Sequence, residues 1–198
     1  MGGAYPDLGS KSQYNGMNVI RSDLEGLLII EPKVFGDPRG YFLETWNHRA
    51  YRECGIDADF VQDNLSCSRR GILRGLHFQN PRPQGKLVSV LQGEVFDVAA
   101  DIRRSSATFG RWHGLHLSAD NKRQLYLPPG FAHGFVVLSE TALFHYKCTD
   151  SYSPAHEATI RWDDPELAIA WPIKDPILSA KDSQAPWLRD LPPDRLFE

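Results

Sequence analysis

Two stretches of the sequence decide the fold: residues 73–79 read LRGLHFQ and residues 128–135 read PPGFAHGF. Each stretch places one histidine, His77 or His133, among large apolar residues of the kind found in buried β-strands. The second stretch opens with a Pro-Pro-Gly turn, which favours a tight reversal of the chain. The pattern predicts two strands whose imidazoles are either structural or meet in one cavity.

The same alternation of strand and turn extends over most of the chain. From Val19 onward, short runs rich in Val, Ile, Leu and Phe are interrupted by Gly, Pro, Asn or Asp. This rhythm predicts an all-β sandwich or barrel, and a barrel of this size holds one small ligand at its mouth. Strands are predicted over residues 27–35, 41–46, 60–67, 71–79, 86–92, 94–103, 111–118, 123–128, 132–139 and 141–150.

Helical signals are few. The stretch NHRAYRECG favours a short helix, because Asn47 suits its N-cap and Gly55 its C-terminal end. The acidic turn DDPELA, residues 163–168, is a second candidate, with Asp163 or Asp164 as the capping residue.

The chain has 198 residues, of which 41% are apolar, and this suits one compact domain. The first sixteen residues are polar, Gly-rich and aperiodic, and Met17 immediately precedes the first periodic segment. We therefore expect residues 1–16 to be a leader added for expression and residues 17–198 to form the domain. After Trp171, the Pro-rich sequence predicts a C-terminal segment that wraps the outside of the barrel.

Charge and composition exclude several classes of partner. The 22 Lys and Arg residues against 25 Asp and Glu residues give a net charge of -3, which provides no general attraction for nucleic acid. No apolar run is long enough to span a bilayer, and no signal-peptide pattern is present. We expect a soluble, cytoplasmic protein. Cys54, Cys67 and Cys148 are widely spaced and predict reduced thiols rather than disulfides or a zinc site.

The histidine pattern argues against a metal centre. The metal motif of cupin barrels has a second imidazole where Gln79 stands and an Asn where Val137 stands. Two imidazoles fall short of the three protein ligands usual at a catalytic divalent site. His113 and His116 are three positions apart, so they point to opposite faces of a strand. We expect no metal.

Eight motifs resemble, in this order, the dTDP-4-dehydrorhamnose 3,5-epimerase family. They are FGDPRGYFLE, FVQDN, GILRGLHFQ, GKLV, GEVFDVAADIRRSSATFG, LPPGFAHGFVVLSETALFHYKCTDSYSP, WDDPELAIAWP and LSAKD. The resemblance implies a cupin-type double-stranded β-helix, or jelly-roll barrel, with short peripheral helices and no cofactor. It also implies a homodimer that exchanges N-terminal strands. The implied reaction inverts C3 and C5 of dTDP-4-dehydro-6-deoxy-D-glucose to give dTDP-4-dehydro-L-rhamnose, on the route to dTDP-L-rhamnose.

The resemblance also assigns roles to four residues. His77 is implied as the base that removes a proton next to the ketone, with Asp182 behind it. Lys86 is implied to stabilise the enolate oxygen, and Tyr146 to return a proton on the opposite face of the sugar. These roles agree with general chemistry, since an imidazole is a natural base at neutral pH and a preorganised cation stabilises a developing oxyanion.

The family pattern implies a further set of residues for the nucleotide and the sugar. Arginines suit the diphosphate because guanidinium forks match phosphate oxygens, and aromatic rings suit stacking on thymine. The implied residues are Arg39, Phe42, Glu44, Gln62, Asn64, Arg74, His133 and Tyr152.

Arg74 conflicts with simple strand geometry. It lies three positions from His77, so strict alternation puts the two side chains on opposite faces. Both enter one cavity only if Gly75 marks a bulge or a sharp twist, and we therefore predict an irregularity at Gly75.

Several alternatives stay open at this point. Lys86 and Asp182 could equally be ordinary surface charges, and Tyr146 could be a core residue. Four functions compete with the double epimerase: an enzyme that inverts one centre only, a 3,4-ketoisomerase, a metal-dependent oxygenase, and a barrel that binds a sugar nucleotide without catalysis. The sequence does not say which subunit completes each pocket.

Overall fold

The computed structural model describes residues 10–14 and 16–198, and these residues form two antiparallel sheets and a separate hairpin. The sheets pack face to face as a jelly-roll barrel, so the predicted fold class is confirmed. The strands, numbered along the chain, are β1 (Lys11–Tyr14), β2 (Met17–Arg21), β3 (Leu28–Glu31), β4 (Val34–Asp37), β5 (Gly40–Leu43), β6 (Gln62–Arg69), β7 (Leu73–Gln79), β8 (Lys86–Gln92), β9 (Glu94–Asp101), β10 (Trp112–Ser118), β11 (Gln124–Leu127), β12 (Phe131–Val137), β13 (Thr141–Cys148) and β14 (Glu157–Thr159).

The spatial order of the strands places the core between the sheets. One sheet has the order β1-β2-β3-β11-β8-β13-β6 and the other β10-β9-β12-β7-β14, while β4 and β5 pair only with each other. The inner faces supply a core of aliphatic and aromatic side chains that includes Ile29, Val88, Leu117, Leu125 and Phe144. Burial of each such side chain stabilises the folded state by about 1.5–3 kcal/mol, so this layer holds the two sheets together.

The predicted helix near Asn47 is confirmed as α1 (His48–Glu53). The Asn47 side chain accepts a hydrogen bond from the backbone N–H of Ala50 at 3.2 Å, as an N-cap does. Tyr51 is fully buried on the inner side of α1, and its hydroxyl donates to Gln124 Oε1 at 2.7 Å. The helix therefore covers one outer region of the seven-stranded sheet.

The prediction of a helix over residues 163–168 is wrong. These residues form consecutive turns, in which the buried Asp164 carboxylate accepts from the backbone N–H groups of Glu166 and Leu167 at 2.9 and 3.0 Å. Asp164 also accepts from the N–H of Leu188 at 2.7 Å. The carboxylate caps a turn and anchors the C-terminal segment instead of starting a helix.

The C-terminal segment lies against the outer face of the five-stranded sheet, where Trp171, Leu188 and Phe197 join an apolar cluster with the strands. Residue 177 pairs with β7, since the N–H of Leu73 donates to the carbonyl of Ile177 at 3.0 Å. This pairing brings α2 (Ala180–Ser183) beside β7. Three short 3₁₀ helices complete the described chain: Pro154–His156, Leu188–Asp190 and Pro193–Arg195. None of the helices in the described residues has the length and apolar character needed to span a bilayer.

The N-terminal boundary differs from the expectation. β1 pairs antiparallel with β2, with Lys11 opposite Ile20, so the sheet begins within the residues that we assigned to a leader. Residues 1–9 and 15 lie outside the described residues. Strands β1, β2 and β14 were absent from the predicted set because they are short, and β1 and β14 lack fully buried apolar side chains.

β7 and β12 approach closely at Gly75, and the register shifts there as predicted. His133 lies opposite His77, and Phe135 lies opposite Arg74. The two residues of β12 are two positions apart, whereas the two residues of β7 are three positions apart. One extra residue in β7 therefore turns Arg74 and His77 to the same side of the sheet. Gly75 has a φ of +124°, and a Cβ atom there would lie 2.5 Å from Gly134 Cα.

We predict that Gly75→Ala destabilises the protein by about 3 kcal/mol, because it combines backbone strain with a clash against rigid backbone. Gly110→Ala is the matched control. Gly110 also has a positive φ of +75° but nothing within 4 Å of the added Cβ, so it should lose only about 1 kcal/mol. Denaturant unfolding measures both changes in free energy. Equal losses would contradict the close approach of the two strands.

Candidate active site

A cavity of about 230 Å³ lies between the two sheets, beside the paired strands β7 and β12. Five of the residues expected at the site face into it together, and serine and phenylalanine side chains complete the lining. The lining residues are Ser66, Arg74, His77, Lys86, His133, Phe135, Phe144 and Tyr146.

Strand register explains why these side chains converge. In the five-stranded sheet, His133 on β12 is directly opposite His77 on β7, so both rings point to the same face. In the seven-stranded sheet, Tyr146 on β13 is opposite Asn64 on β6, and Lys86 is opposite Cys148 two positions further along β13. The two imidazoles and the phenol–ammonium pair therefore occupy opposing walls of one cavity.

His77 is held by a carboxylate from the C-terminal segment. Its Nε2 atom lies 2.6 Å from Oδ1 of Asp182, which is only 2% exposed. Asp182 sits in the first turn of α2, where its backbone N–H donates to the Ser179 hydroxyl at 3.1 Å. Burial alone would raise the pKa of Asp182, but the hydrogen bond and charge of His77, together with Ser179 and Lys181, outweigh burial and lower that pKa. Because Nε2 faces the carboxylate, Nδ1 is the ring nitrogen available for proton uptake.

His133 forms a second imidazole–carboxylate pair deeper in the barrel. Its Nε2 atom lies 3.0 Å from Oδ2 of Asp97, and both side chains are buried. The ring of His133 stacks at 6.0 Å on Phe144, which itself stacks at 4.0 Å on Phe135. This arrangement fixes the His133 ring as part of an aromatic wall.

The Lys86 ammonium group is desolvated inside the cavity. Burial lowers its pKa, while the nearby Cys148 thiol and the carboxylates of Asp97 and Glu157 act in the opposite direction. Nζ lies 3.5 Å from the backbone oxygen of His77. A cation in such a place interacts strongly with any negative charge that develops beside it, because little water screens the interaction.

Tyr146 is half-buried on the wall opposite His77. Burial raises the pKa of its phenol, and the positive charge of Arg74 partly offsets that rise. The hydroxyl therefore stays protonated at neutral pH and is able to donate a proton.

Gln62, Asn64 and Tyr152 do not line the cavity, but they form a polar chain beside it, since Asn64 lies opposite Tyr146 on the neighbouring strand. Gln62 donates to Asn64 Oδ1 at 2.9 Å and accepts from the backbone N–H of Tyr152 at 2.8 Å. Asn64 also contacts the Cys148 thiol at 3.7 Å. The Tyr152 side chain is half-exposed, and its hydroxyl donates to Glu157 at 2.9 Å.

Arg39, Phe42 and Glu44, which were also expected at the site, do not line the cavity of their own chain. Arg39 and Phe42 lie on the exposed β4–β5 hairpin, where Arg39 pairs with Asp37 and Phe42 is 68% exposed. Glu44 follows the hairpin and accepts from the Asn47 side chain at 3.1 Å.

Sequence reasoning missed three residues with acidic or basic side chains beside the site. Asp97 was detectable as a charge within an apolar strand, but Glu157 and Lys181 had no such signal. Lys181 Nζ lies 2.7 Å from Glu157 Oε1, and this pair sits next to Asp182. Burial alone would raise the pKa of Glu157, and the contacts with Lys181 and Tyr152 lower it.

The remaining histidine candidates lie elsewhere. His113 is buried on β10 with its nearest carboxylate, Asp23, at 3.6 Å, and His116 pairs with Glu94 at 2.5 Å. Gln79 uses its amide to hold the backbone of Arg82 at 2.6 Å. Within residues 10–14 and 16–198, no three His, Cys, Asp or Glu side chains are grouped as a metal site.

Comparison with known proteins identifies the family. The family model described as dTDP-4-dehydrorhamnose 3,5-epimerase matches residues 21–190. The chain belongs to the dTDP-4-dehydrorhamnose 3,5-epimerase family. The Pseudomonas aeruginosa protein of that name is 58% identical over 170 residues, which are 85% of this chain and 94% of the relative.

Solved structures of epimerases share the fold. The Legionella pneumophila dTDP-6-deoxy-D-glucose-3,5-epimerase, in complex with dTDP-4-keto-L-rhamnose, is 54% identical with a TM-score of 0.89, covering 91% of this chain and 97% of that one. A 3′-monoepimerase from Streptomyces bikiniensis, in complex with dTDP-quinovose, is 35% identical with a TM-score of 0.79, covering 84% and 86%. The chain is thus more similar in sequence to the double epimerase than to the single one.

We predict that Lys86 titrates at a lower pH than an ordinary lysine, because burial disfavours its charged form. NMR titration of ¹³C-labelled lysine side chains measures this, with Lys86→Met assigning the signal. Asp97→Asn should lower the pKa of Lys86 further, since it removes a carboxylate that favours the ammonium form. An unshifted Lys86 signal would contradict its desolvation.

Proposed function

We propose that the protein inverts C3 and C5 of dTDP-4-dehydro-6-deoxy-D-glucose, giving dTDP-4-dehydro-L-rhamnose. The observation that carries this proposal is that an imidazole and a phenol lie on opposing walls of one cavity, with an ammonium group on the phenol's wall. Family membership points to the same reaction, since the relatives in this family bear the name of that epimerase.

His77 serves as the base. Its Nδ1 atom takes the proton from the carbon next to the C4 ketone, and the electron pair of that C–H bond moves into the carbonyl to form an enolate. Asp182, already ionised and 2.6 Å from Nε2, stabilises the imidazolium that results.

Lys86 stabilises the enolate oxygen. Preorganised donors aimed at a developing oxyanion contribute roughly 3–4 kcal/mol to the transition state. Burial of Lys86 also strengthens its attraction for the oxyanion, because water screens the interaction less.

Tyr146 returns a proton to the same carbon from the opposite face, which inverts the centre. Its phenolate then regains a proton from solvent, and His77 releases the one it holds. Proton transfer of this kind typically contributes a hundred- to ten-thousand-fold in rate. The same pair acts on C3 and on C5, because both carbons flank the ketone.

The nucleotide end of the substrate lies at the mouth of the cavity. Gln62 and Asn64 offer amide groups there, Tyr152 offers a ring face, and Arg74 offers a guanidinium group to the diphosphate. Solved relatives with bound dTDP-4-keto-L-rhamnose or dTDP-quinovose support a nucleotide-linked deoxysugar as the ligand.

The exposed β4–β5 hairpin supports a homodimer in which each chain completes the other's site. Phe35, Tyr41 and Phe42 are each more than half exposed on a two-stranded hairpin that makes no ladder with the barrel of its own chain. Such an apolar surface favours contact with a partner. Arg39 at the tip then supplies a guanidinium group to the partner's nucleotide.

Turnover in deuterated water tests the reaction. We expect deuterium at both C3 and C5 of the product, since each inversion exchanges a carbon-bound hydrogen with solvent. His77→Asn should lower kcat/KM by about a hundred- to ten-thousand-fold while dTDP binds with little change. His48→Asn, on the exposed side of α1, is the matched control and should leave both unchanged. Full turnover by the His77 variant would reject this base.

A second candidate function is inversion of C3 alone. The similarity to the Streptomyces bikiniensis 3′-monoepimerase favours keeping it in the test. Deuterium confined to C3 would support it, and a barrel without catalysis would incorporate none.

Mixing two defective chains tests the exchanged hairpin. In a dimer of Arg39→Ala and His77→Asn subunits, one of the two sites carries neither substitution if Arg39 acts across the interface. Co-expression of the two chains should then restore about a quarter of wild-type activity, because half of the random dimers are mixed and each has one intact site. Absence of any recovery would place Arg39 in its own chain's site.

A further inference from the structure

We propose that Ser68 is a positioning residue that sets the orientation of Arg74 toward the substrate. Arg74 Nε donates a hydrogen bond to Ser68 Oγ at 3.0 Å. This inference rests on the proposed function, because it takes Arg74 to bind the diphosphate.

The contact joins the two sheets. Ser68 lies on β6, the edge strand of the seven-stranded sheet, and Arg74 lies on β7 of the other sheet. Ser68 is only 4% exposed, whereas Arg74 is exposed. The serine hydroxyl is thus a fixed point, and the guanidinium group is the part that is otherwise free to move.

Arg74 stands where two cavities meet. It lines the 230 Å³ cavity with His77 and Tyr146, and it lines a neighbouring cavity of about 300 Å³ with Ser179 and Asp182. Because Arg74 is exposed and also lines the site cavity, its guanidinium group lies at the edge of that cavity. A guanidinium at this junction is placed to meet the group that links the two parts of the substrate.

The hydrogen bond uses Nε and leaves the fork of the guanidinium available. Among the described residues, no other hydrogen bond from the Arg74 side chain is found. An arginine side chain loses up to about 2 kcal/mol of rotamer entropy when it is immobilised. Anchoring Nε before the substrate arrives removes part of that cost from binding, and the terminal nitrogens remain for two-pronged contact with phosphate oxygens.

The test is a double-mutant cycle on Ser68 and Arg74. Ser68→Ala should raise KM and the Kd for dTDP about three- to tenfold, the loss of one modest hydrogen bond, and should change kcat by less than about twofold. In an Arg74→Ala background the same Ser68 change should have almost no further effect, because the group it positions is absent.

Ser68→Cys guards against a folding defect in the alanine variant, since a thiol is close in size but a weak acceptor. It should raise KM in the same direction. Equal effects of Ser68→Ala with and without Arg74 would overturn the positioning role and leave the proposed function intact. An Arg74→Ala variant that binds dTDP as tightly as wild type would instead remove Arg74 from the substrate site, and the role of Ser68 with it.

Discussion

The close approach of β7 to β12 at Gly75 and Gly134 is the constraint on which the site depends. A side chain at Gly75 would collide with the backbone of Gly134, so the strands come together only because both residues are glycine. The extra residue in β7 at this point reverses the alternation and turns Arg74 to the face of His77. A regular ladder would turn only one of His77 and Arg74 toward the cavity.

The two imidazoles of the site each have a carboxylate partner, and the Lys86 ammonium group has none within the part of the chain that the structure describes. His77 is paired with Asp182 and His133 with Asp97, so the Nε2 atom of each imidazole faces a carboxylate. Lys86 has no carboxylate within salt-bridge distance among the described residues and stands in a space with little water. A cation held in this way is available to a charge that appears only during the reaction, which is the condition for stabilising a transition state more than a ground state.

Part of this arrangement could be predicted from the sequence. Alternation of apolar residues predicted most strands, and Asn47 and Gly55 predicted α1, because both signals are local. The irregularity at Gly75 was also predictable, since a glycine was the only residue between Arg74 and His77 able to accommodate it. The helix predicted at Asp164 was wrong, because a carboxylate caps a turn with the same hydrogen bonds that it uses at the start of a helix.

The rest depended on contacts between distant segments. Asp182 meets His77 across 105 positions of sequence, and the pairing of Ile177 with β7 is what brings it there. Ion pairs such as Glu157 with Lys181 have no local pattern at all. Arg39 and Phe42 could not be placed from a single chain. Local strand pairing forms their hairpin, yet in the single chain the hairpin is exposed and does not line the cavity. In the homodimer proposed above these residues would act on the partner's site, so their position relative to the substrate follows only from the assembly.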